Sequence, residues 1–515
     1  MPGSVHRPAV VPREVFAYWS IFLRNSASNR TVDWLQSILF EGDRRVAWIV
    51  LALICVGAGA LTGTYVAVLT PLLSLAAAVA LAVGLLMLRS IRWGFFALVT
   101  VACLLPFAAL PVQIGFTPTF LDVVLLVIFF VWVMSFLSPR REEFIATPVG
   151  GLVLLFMALA CAAFVAGMTH SRPTSYVIRH FAEILLAIGL FFIIVNSVRT
   201  TEKLRQIVAV TTLVGAAEAG VAIVLYVIPT DWSIRLLSAL GRFHYPTGAG
   251  VLRYIEDDPE LAMRAIGTAV DPNVLGGLMV LIGGLLVPQL FAHRPIFKRW
   301  IVAGMLGLIG ICLYLTYSRA AMLGLAAGVG FLALFRYRKL LIIMLVIVVL
   351  MMFLPQTQAY VERLVEGIQG EDRATQMRFG EYKDAFTLIS RYPWLGVGFA
   401  GTPDIDTYLG VSSAYLLMAE QMGLIGVAAF LLVMARHYTT MLGAWRRIRA
   451  RADDLEPLLL GAMAGLGGAL VAGVLDHYFF NFDFPHSVTL FWFFVGIGAA
   501  GAQIAKNYVI SADRS

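Results

Sequence analysis

Three arginines, Arg264, Arg319 and Arg378, stand apart from the charge pattern of the rest of the chain. Each lies near the end of an apolar run or on a polar segment, on the side where cations are otherwise scarce. A guanidinium is always cationic, and its planar fork bonds two oxygens at once. Several converging on one spot would hold a diphosphate at a membrane surface and stabilise charge on a departing phosphate without a metal. The plainer alternative is that each snorkels or pairs with a nearby acid, as Arg378 with Glu381. A second concentration lies in LDHYFFNFDFPHS, residues 475–487. His477 beside Asp476 has the composition of an oriented general base, with an ordinary pKa of about 6.5. Asp476, His477 and His486 could instead hold a metal, although their spacing is not that of a known site. They could also form a capping loop whose polar groups bond to one another and whose aromatics sit at the interface. Glu183, Glu218 and Glu420 fall within or near apolar runs, where a carboxylate is a functional candidate. They are sparse for an ion-coupled transporter and serve equally well as packing partners.

The elements that must carry these residues are membrane helices. The chain is 60% hydrophobic and 13% charged, against roughly 45–50% and 25% in soluble domains. Its apolar residues come in runs of about twenty, the length of a bilayer crossing. An all-α, polytopic membrane protein with about fourteen transmembrane helices is expected. The expected spans are 47–66, 68–88, 93–111, 118–137, 147–168, 178–197, 206–228, 268–290, 300–316, 319–335, 339–354, 411–435, 456–475 and 487–505. The net charge of +7 is explained by Arg and Lys in every second connection, such as Arg140–Arg141, Arg336–Lys339 and Arg446–Arg451. This bias puts both termini in the cytoplasm and leaves Arg172, Arg179 and Arg319 outside. No nucleic-acid partner is implied. Cys55, Cys103, Cys161 and Cys312 lie in apolar runs and suggest neither disulfides nor zinc. No signal peptide is read in residues 1–30.

The expected organisation is a cytoplasmic tail with an interfacial helix near Trp34–Phe40 (1–46), N-terminal transmembrane helices (47–228) and a first long periplasmic loop (229–267). Central transmembrane helices (268–354), a large periplasmic loop (355–410), C-terminal transmembrane helices (411–505) and a cytoplasmic tail (506–515) follow. Both long loops are long enough to be functional. Residues 372–390 read as an amphipathic helix with Phe379, Tyr382, Phe386 and Ile389 along one side, ended by Pro393, Gly396 and Gly398. Such a helix would lie along the outer surface as a lid.

Four segments in order resemble the O-antigen ligase and polymerase family: RAIGTAVDPNVLG (264–276), LTYSRAAMLG (315–324), RYPWLGVG (391–398) and SSAYLLMAEQMGLIG (412–426). The resemblance covers roughly 255–500. It implies a GT-C-like, metal-independent, inverting glycosyltransferase of the bacterial inner membrane with no cofactor. Such an enzyme moves a saccharide from undecaprenyl diphosphate to an acceptor glycan on the periplasmic face. The matching positions imply that Arg264 and Arg319 hold the diphosphate, with Arg378 a looser match. In one respect the chain departs from the family. Ligases carry His-Asn before the GLIG helix, where this chain has Ser412 and Ser413. A serine is no general base at neutral pH. Candidates for that role are His477, with Asp476 beside it, Glu381, Asp404 and Asp406; Ser412, Ser413 and His486 complete the loop set.

The departure favours a polymerase acting in exopolysaccharide, capsule or O-antigen assembly over a lipopolysaccharide ligase. Its partners would be the lipid-linked oligosaccharide, the acceptor glycan, the bilayer and other assembly or export proteins. A lipid-linked oligosaccharide flippase, which would need a polar cavity deep in the membrane, and a non-catalytic component of an export complex remain the alternatives.

Overall fold

The computed structural model describes residues 71–110, 116–136, 144–353, 373–402, 404, 406, 409–449 and 454–512. The chain divides into two compact units, Met1–Val83 and Gly84–Ser515. The described part of the first, residues 71–83, is helical. The expected interfacial helix and the expected first span, 47–66, lie outside the described residues.

The described helices are α1 (Pro71–Arg89), α2 (Ile91–Leu104), α3 (Phe120–Ser135), α4 (Gly150–Gly167), α5 (Ser175–Ser197), α6 (Thr201–Val227), α7 (Thr230–Ala239), α8 (Pro272–Leu286), α9 (Arg299–Leu315), α10 (Arg319–Phe335), α11 (Lys339–Met352), α12 (Arg373–Arg391), α13 (Ala414–Ile448), α14 (Glu456–Leu475) and α15 (Pro485–Ala512). Among the described residues, seven helices are long and apolar enough to cross a membrane: α4, α5, α6, α8 (with its one-turn extension to Leu290), α13, α14 and α15. The shorter apolar helices α1, α2, α3, α9, α10 and α11 stand where further spans were expected. A multi-pass membrane protein follows, because a helix satisfies its own backbone in lipid.

Polar residues set the helix ends. Thr119 and Asp122 form a reciprocal capping box at the start of α3, with bonds of 2.7 and 3.1 Å. Asp271 caps α8 ahead of Pro272 by accepting from the Asn273 and Val274 N–H groups, the arrangement Asp-Pro favours. The centre of the second unit is α14, which packs against α8 and α10. Gly324 and Gly328 on α10 and Gly461 and Gly465 on α14 are spaced four apart, and a Cβ at any of them would strike the backbone of the facing helix. Between membrane helices, close van der Waals contact replaces the hydrophobic drive.

α13 runs past the expected end near 435 to Ile448. Arg436 does not terminate it, because only apolar lipid, and not the helix, excludes charge. Its last turns bury Met441 and Trp445, and Trp445 Nε1 donates to Glu456 Oε1 at 3.1 Å. The first long loop is folded: α7 is followed by a short antiparallel pair, Arg253–Tyr254 with Met263–Arg264. Leu225, Leu237, Val251, Leu252 and Ile266 form its apolar centre.

The amphipathic helix expected at 372–390 appears as α12, but the face it buries is different. Ala385 and Leu388 are buried and Glu381, Tyr382 and Ile389 are half-buried, while Phe379 and Phe386 are exposed. The inner face is thus polar at Glu381 and Tyr382 and apolar at Ala385 and Leu388, and two of the four residues read as its apolar side look away from the bundle.

Candidate functional site

The site begins with the turn between α9 and α10. Tyr317 takes a positive φ of 53°, which reverses the chain within residues 316–318 and sets Arg319 at the first position of α10. Arg264 comes to the same turn from the loop side. Ala265 N donates to Leu315 O at 2.8 Å. Arg264 Nε donates to Thr316 O at 2.8 Å and its Nη2 to Asn273 Oδ1 at 2.7 Å. These bonds fix the plane of the guanidinium between the turn and the start of α8. Both arginines are half-buried. The N-terminal N–H groups of α10 lie beside Arg319, and a helix start adds its own partial positive charge.

Next to this cationic corner is an acidic one built around His477. Asp476, buried to 4% exposure, accepts from the His477 backbone N–H at 2.8 Å and meets its ring Nδ1 at 3.2 Å through the same Oδ1. A proton held on Nδ1 leaves Nε2 as the basic atom. Burial works against the imidazolium, but the bond to Asp476 and the charges of Asp476, Glu381 and Asp271 outweigh it, and the pKa of His477 is raised above 6.5. Burial also raises the Asp271 carboxyl, with Asp476 adding to the effect; its own caps at Val274 and Asn273 and the charge of Arg264 oppose it. Asp271 is therefore the link between the two corners.

α12 and the start of α13 close the site. Glu381 Oε2 accepts from the Ser412 N–H at 2.9 Å, and Ala414 N donates to Asp476 O at 2.9 Å. Ser413 is buried at the head of α13. Tyr382 lies within electrostatic reach of Arg378, Glu381 and Asp476; burial is the main cause of its raised pKa, and Arg378 opposes it. Segments around 264–273, 315–319, 378–382, 412–414 and 476–478 thus gather into one region.

A backbone lock holds α13 and the end of α12 in register. At Gly423 (φ 68°, ψ −178°) α13 breaks, and the 393–398 loop inserts its backbone there. Val397 N donates to Glu420 O (2.8 Å), Gly398 N to Gln421 O (3.1 Å) and Leu424 N to Pro393 O (2.8 Å). Gly396 also has a positive φ, 67°, and a Cβ on either Gly396 or Gly423 would collide with the other strand's backbone.

Three expected site residues lie elsewhere. Asp404 and Asp406 pair with Arg391 at the far end of α12, at 2.8 and 3.3 Å, and raise the pKa of that guanidinium through their hydrogen bonds and charges. His486 is buried between Phe107 and Phe484, with ring centroids at 5.1 and 6.3 Å. Neither of its nitrogens has a hydrogen-bond partner among the described residues. Among the described residues no three His, Cys, Asp or Glu side chains are grouped as a metal site. Of the residues that complete the site, Asp271, Asn273, Thr316 and Tyr382 had no chemical signal of their own in the sequence. Asp271 was legible only as a helix cap in Asp-Pro-Asn.

Residues 302–431 match the family model described as O-antigen ligase. Over this stretch the chain is similar to the O-antigen ligase family, which supports its place in the O-antigen ligase and polymerase family. No curated protein matches the chain. The matched stretch runs from α9 to the break in α13 and just beyond, taking in Arg319, Arg378, Glu381 and Ser412. Together with the seven long apolar helices among the described residues of the chain, the match supports a multi-pass membrane enzyme of polysaccharide assembly, of the glycosyl-transfer kind and acting on a lipid-linked glycan.

Proposed function

We propose that the protein is a metal-independent, inverting glycosyltransferase. It moves a saccharide from undecaprenyl diphosphate to an acceptor glycan on the outer face of the inner membrane, as a polymerase of exopolysaccharide, capsule or O-antigen. The observation that carries the reading is the adjacency of two unlike corners: Arg264 bonded into the turn that starts Arg319, and His477 held by Asp476 among Glu381 and Asp271. The cationic corner suits a diphosphate, and the basic imidazole suits an acceptor hydroxyl.

In this mechanism the diphosphate lies against Arg264 and Arg319, with Arg378 approaching from α12. The acceptor oxygen bonds to the anomeric carbon as the bond from that carbon to the diphosphate oxygen breaks. The hydroxyl proton passes to His477 Nε2, and the electron pair of the broken bond leaves with the diphosphate, whose charge the guanidinium groups stabilise. A single displacement inverts the anomeric carbon. Asp476 is a positioning residue: it orients the ring and stabilises the imidazolium. Ser412 occupies the position of the ligase histidine, and its backbone is bonded to Glu381. His477 is attached to the same turn through Asp476 O and Ala414 N, so an imidazole is still available where the family's base would act.

The test is glycan transfer by purified protein in detergent, from a polyprenyl-diphosphate donor and without an ion gradient. Arg319→Ala should abolish product while the protein still inserts and unfolds at its usual temperature. Normal product from that variant would remove the clamp. Failure of the wild-type protein to join glycans under these conditions would instead favour a transporter.

A further inference from the structure

At the end of the bundle opposite His477 there is a cavity of about 310 Å³ lined by Arg89, Arg199 and Lys203. Helix directions establish that it is the opposite end. Tyr176, in the first turn of α5, bonds Asp483 of the His477 loop, whereas the cavity takes Asn196 and Ser197 from the last turn of the same helix. Those turns are about 30 Å apart at 1.5 Å per residue. The lining also draws on the junction of α1 with α2, the last turn of α3 and the start of α6.

Among the described residues that line the cavity there is no carboxylate. The nearby acid Glu202 is engaged elsewhere, accepting from Gln206 Nε2 at 2.9 Å, and Gln206 in turn accepts from Arg92 at 2.9 Å. Arg199 is aimed by its Nε bond to Asn196 O at 2.8 Å. Trp132 and Ser135 supply an indole and a hydroxyl beside the cations. Ile91, Val131 and Phe136 form an apolar wall. It continues along the exposed side of α3 through Met134, Val133, Phe130 and Leu126. Cations gathered at helix ends with hydroxyls beside them suit a phosphate, and an apolar stripe leading away from them suits an acyl chain. Basic pockets between membrane helices recognise anionic headgroups by this combination. A volume of this size is also at the lower end of small-molecule sites.

We propose that this cavity is a binding site for a phosphate-bearing headgroup, that of an anionic glycerophospholipid. It is separate from the transfer site and does not depend on the reading of that site.

The test is thermal unfolding of the purified full chain in neutral detergent, titrated separately with phosphatidylglycerol, with phosphatidylcholine of the same chains and with sodium phosphate. Phosphatidylglycerol is expected to stabilise at a lower concentration than phosphatidylcholine. Each cation contributes about fivefold to affinity for an anionic surface. Arg89→Gln with Lys203→Gln should therefore move the phosphatidylglycerol midpoint up by about 30-fold. Arg338→Gln with Lys339→Gln, exposed cations outside the cavity, should leave it in place. Lys203→Gln alone, with a shift of about fivefold, replaces the double variant if that fails to fold. Stabilisation by sodium phosphate that is weakened in the same variant would keep the site and give it to free phosphate. Equal titration by the two lipids with no effect of phosphate, a cavity variant that titrates as wild type, or an equal loss in the control pair would overturn the proposal.

Discussion

Replacing Asp476 with asparagine keeps the shape of the His477 pair and removes its charge. The carboxylate lies 3.2 Å from His477 Nδ1. At that separation a full charge pair is worth about 5 kcal/mol at an effective dielectric of about 20, and about 1 kcal/mol in water. The imidazole is about a quarter exposed, at 27%, so solvent screening brings the loss to about 2–3 kcal/mol. If the imidazolium forms in the rate-limiting step, that loss is about 30- to 150-fold in kcat. The pH profile carries a second signature. Proton transfer requires the neutral ring, so activity falls as pH drops through the pKa of His477, which lies above its usual value because of Asp476, Glu381 and Asp271 despite opposing burial. Removing one of these carboxylates lowers that pKa, and the acid limb moves to lower pH. The assay is the initial rate of glycan transfer in detergent across the pH range for wild type, Asp476→Asn, His477→Ala and the double variant. In the His477→Ala background, Asp476→Asn should add little, since the two residues act as a unit. Additive losses, or an acid limb that stays in place, would refute the general-base role of His477.

Other expectations follow from the same geometry. Arg264→Lys keeps the charge but cannot span Thr316 O and Asn273 Oδ1 with one planar group; a loss of about 10- to 100-fold in kcat/KM for the donor is expected, and a wild-type value would count against the clamp. Gly423→Ala puts a side chain into a conformation suited to glycine and against the Trp394 carbonyl. Strain of about 1–3 kcal/mol and three backbone bonds at about 1 kcal/mol each should lower the unfolding temperature and open the 393–398 loop to protease; an unchanged cleavage pattern would show that the lock is dispensable. Asp404→Asn with Asp406→Asn should leave kcat within about twofold, because surface ion pairs contribute little and both acids serve Arg391; a tenfold loss would return them to the site.

The helical character of this chain was legible because membrane segments are defined by local composition. Apolar runs of bilayer length must close their own backbone bonds, and α2 to α11, α13, α14 and α15 stand on runs visible in the sequence, apart from α7. Residues in α12 were also legible as a helix, through their 3.6-residue period. Its buried face was not, because Phe379 and Phe386 are apolar yet exposed while polar Glu381 turns inward to a backbone N–H of Ser412. Which side of an amphipathic helix is buried depends on what it meets. The arginines and His477 announced themselves by residue type and position, since charge is costly near lipid. Their grouping did not. Asp271 brings Arg264 and His477 into one electrostatic field across more than two hundred residues of sequence, and the aspartates 404 and 406 are drawn away by Arg391, which the sequence marks only as the first residue of RYPWLGVG and not as their partner. Local chemistry determines which side chains can carry charge at the membrane edge. Only the packing of distant helices, through glycine contacts and the Gly423 lock, decides which of those charges face one another.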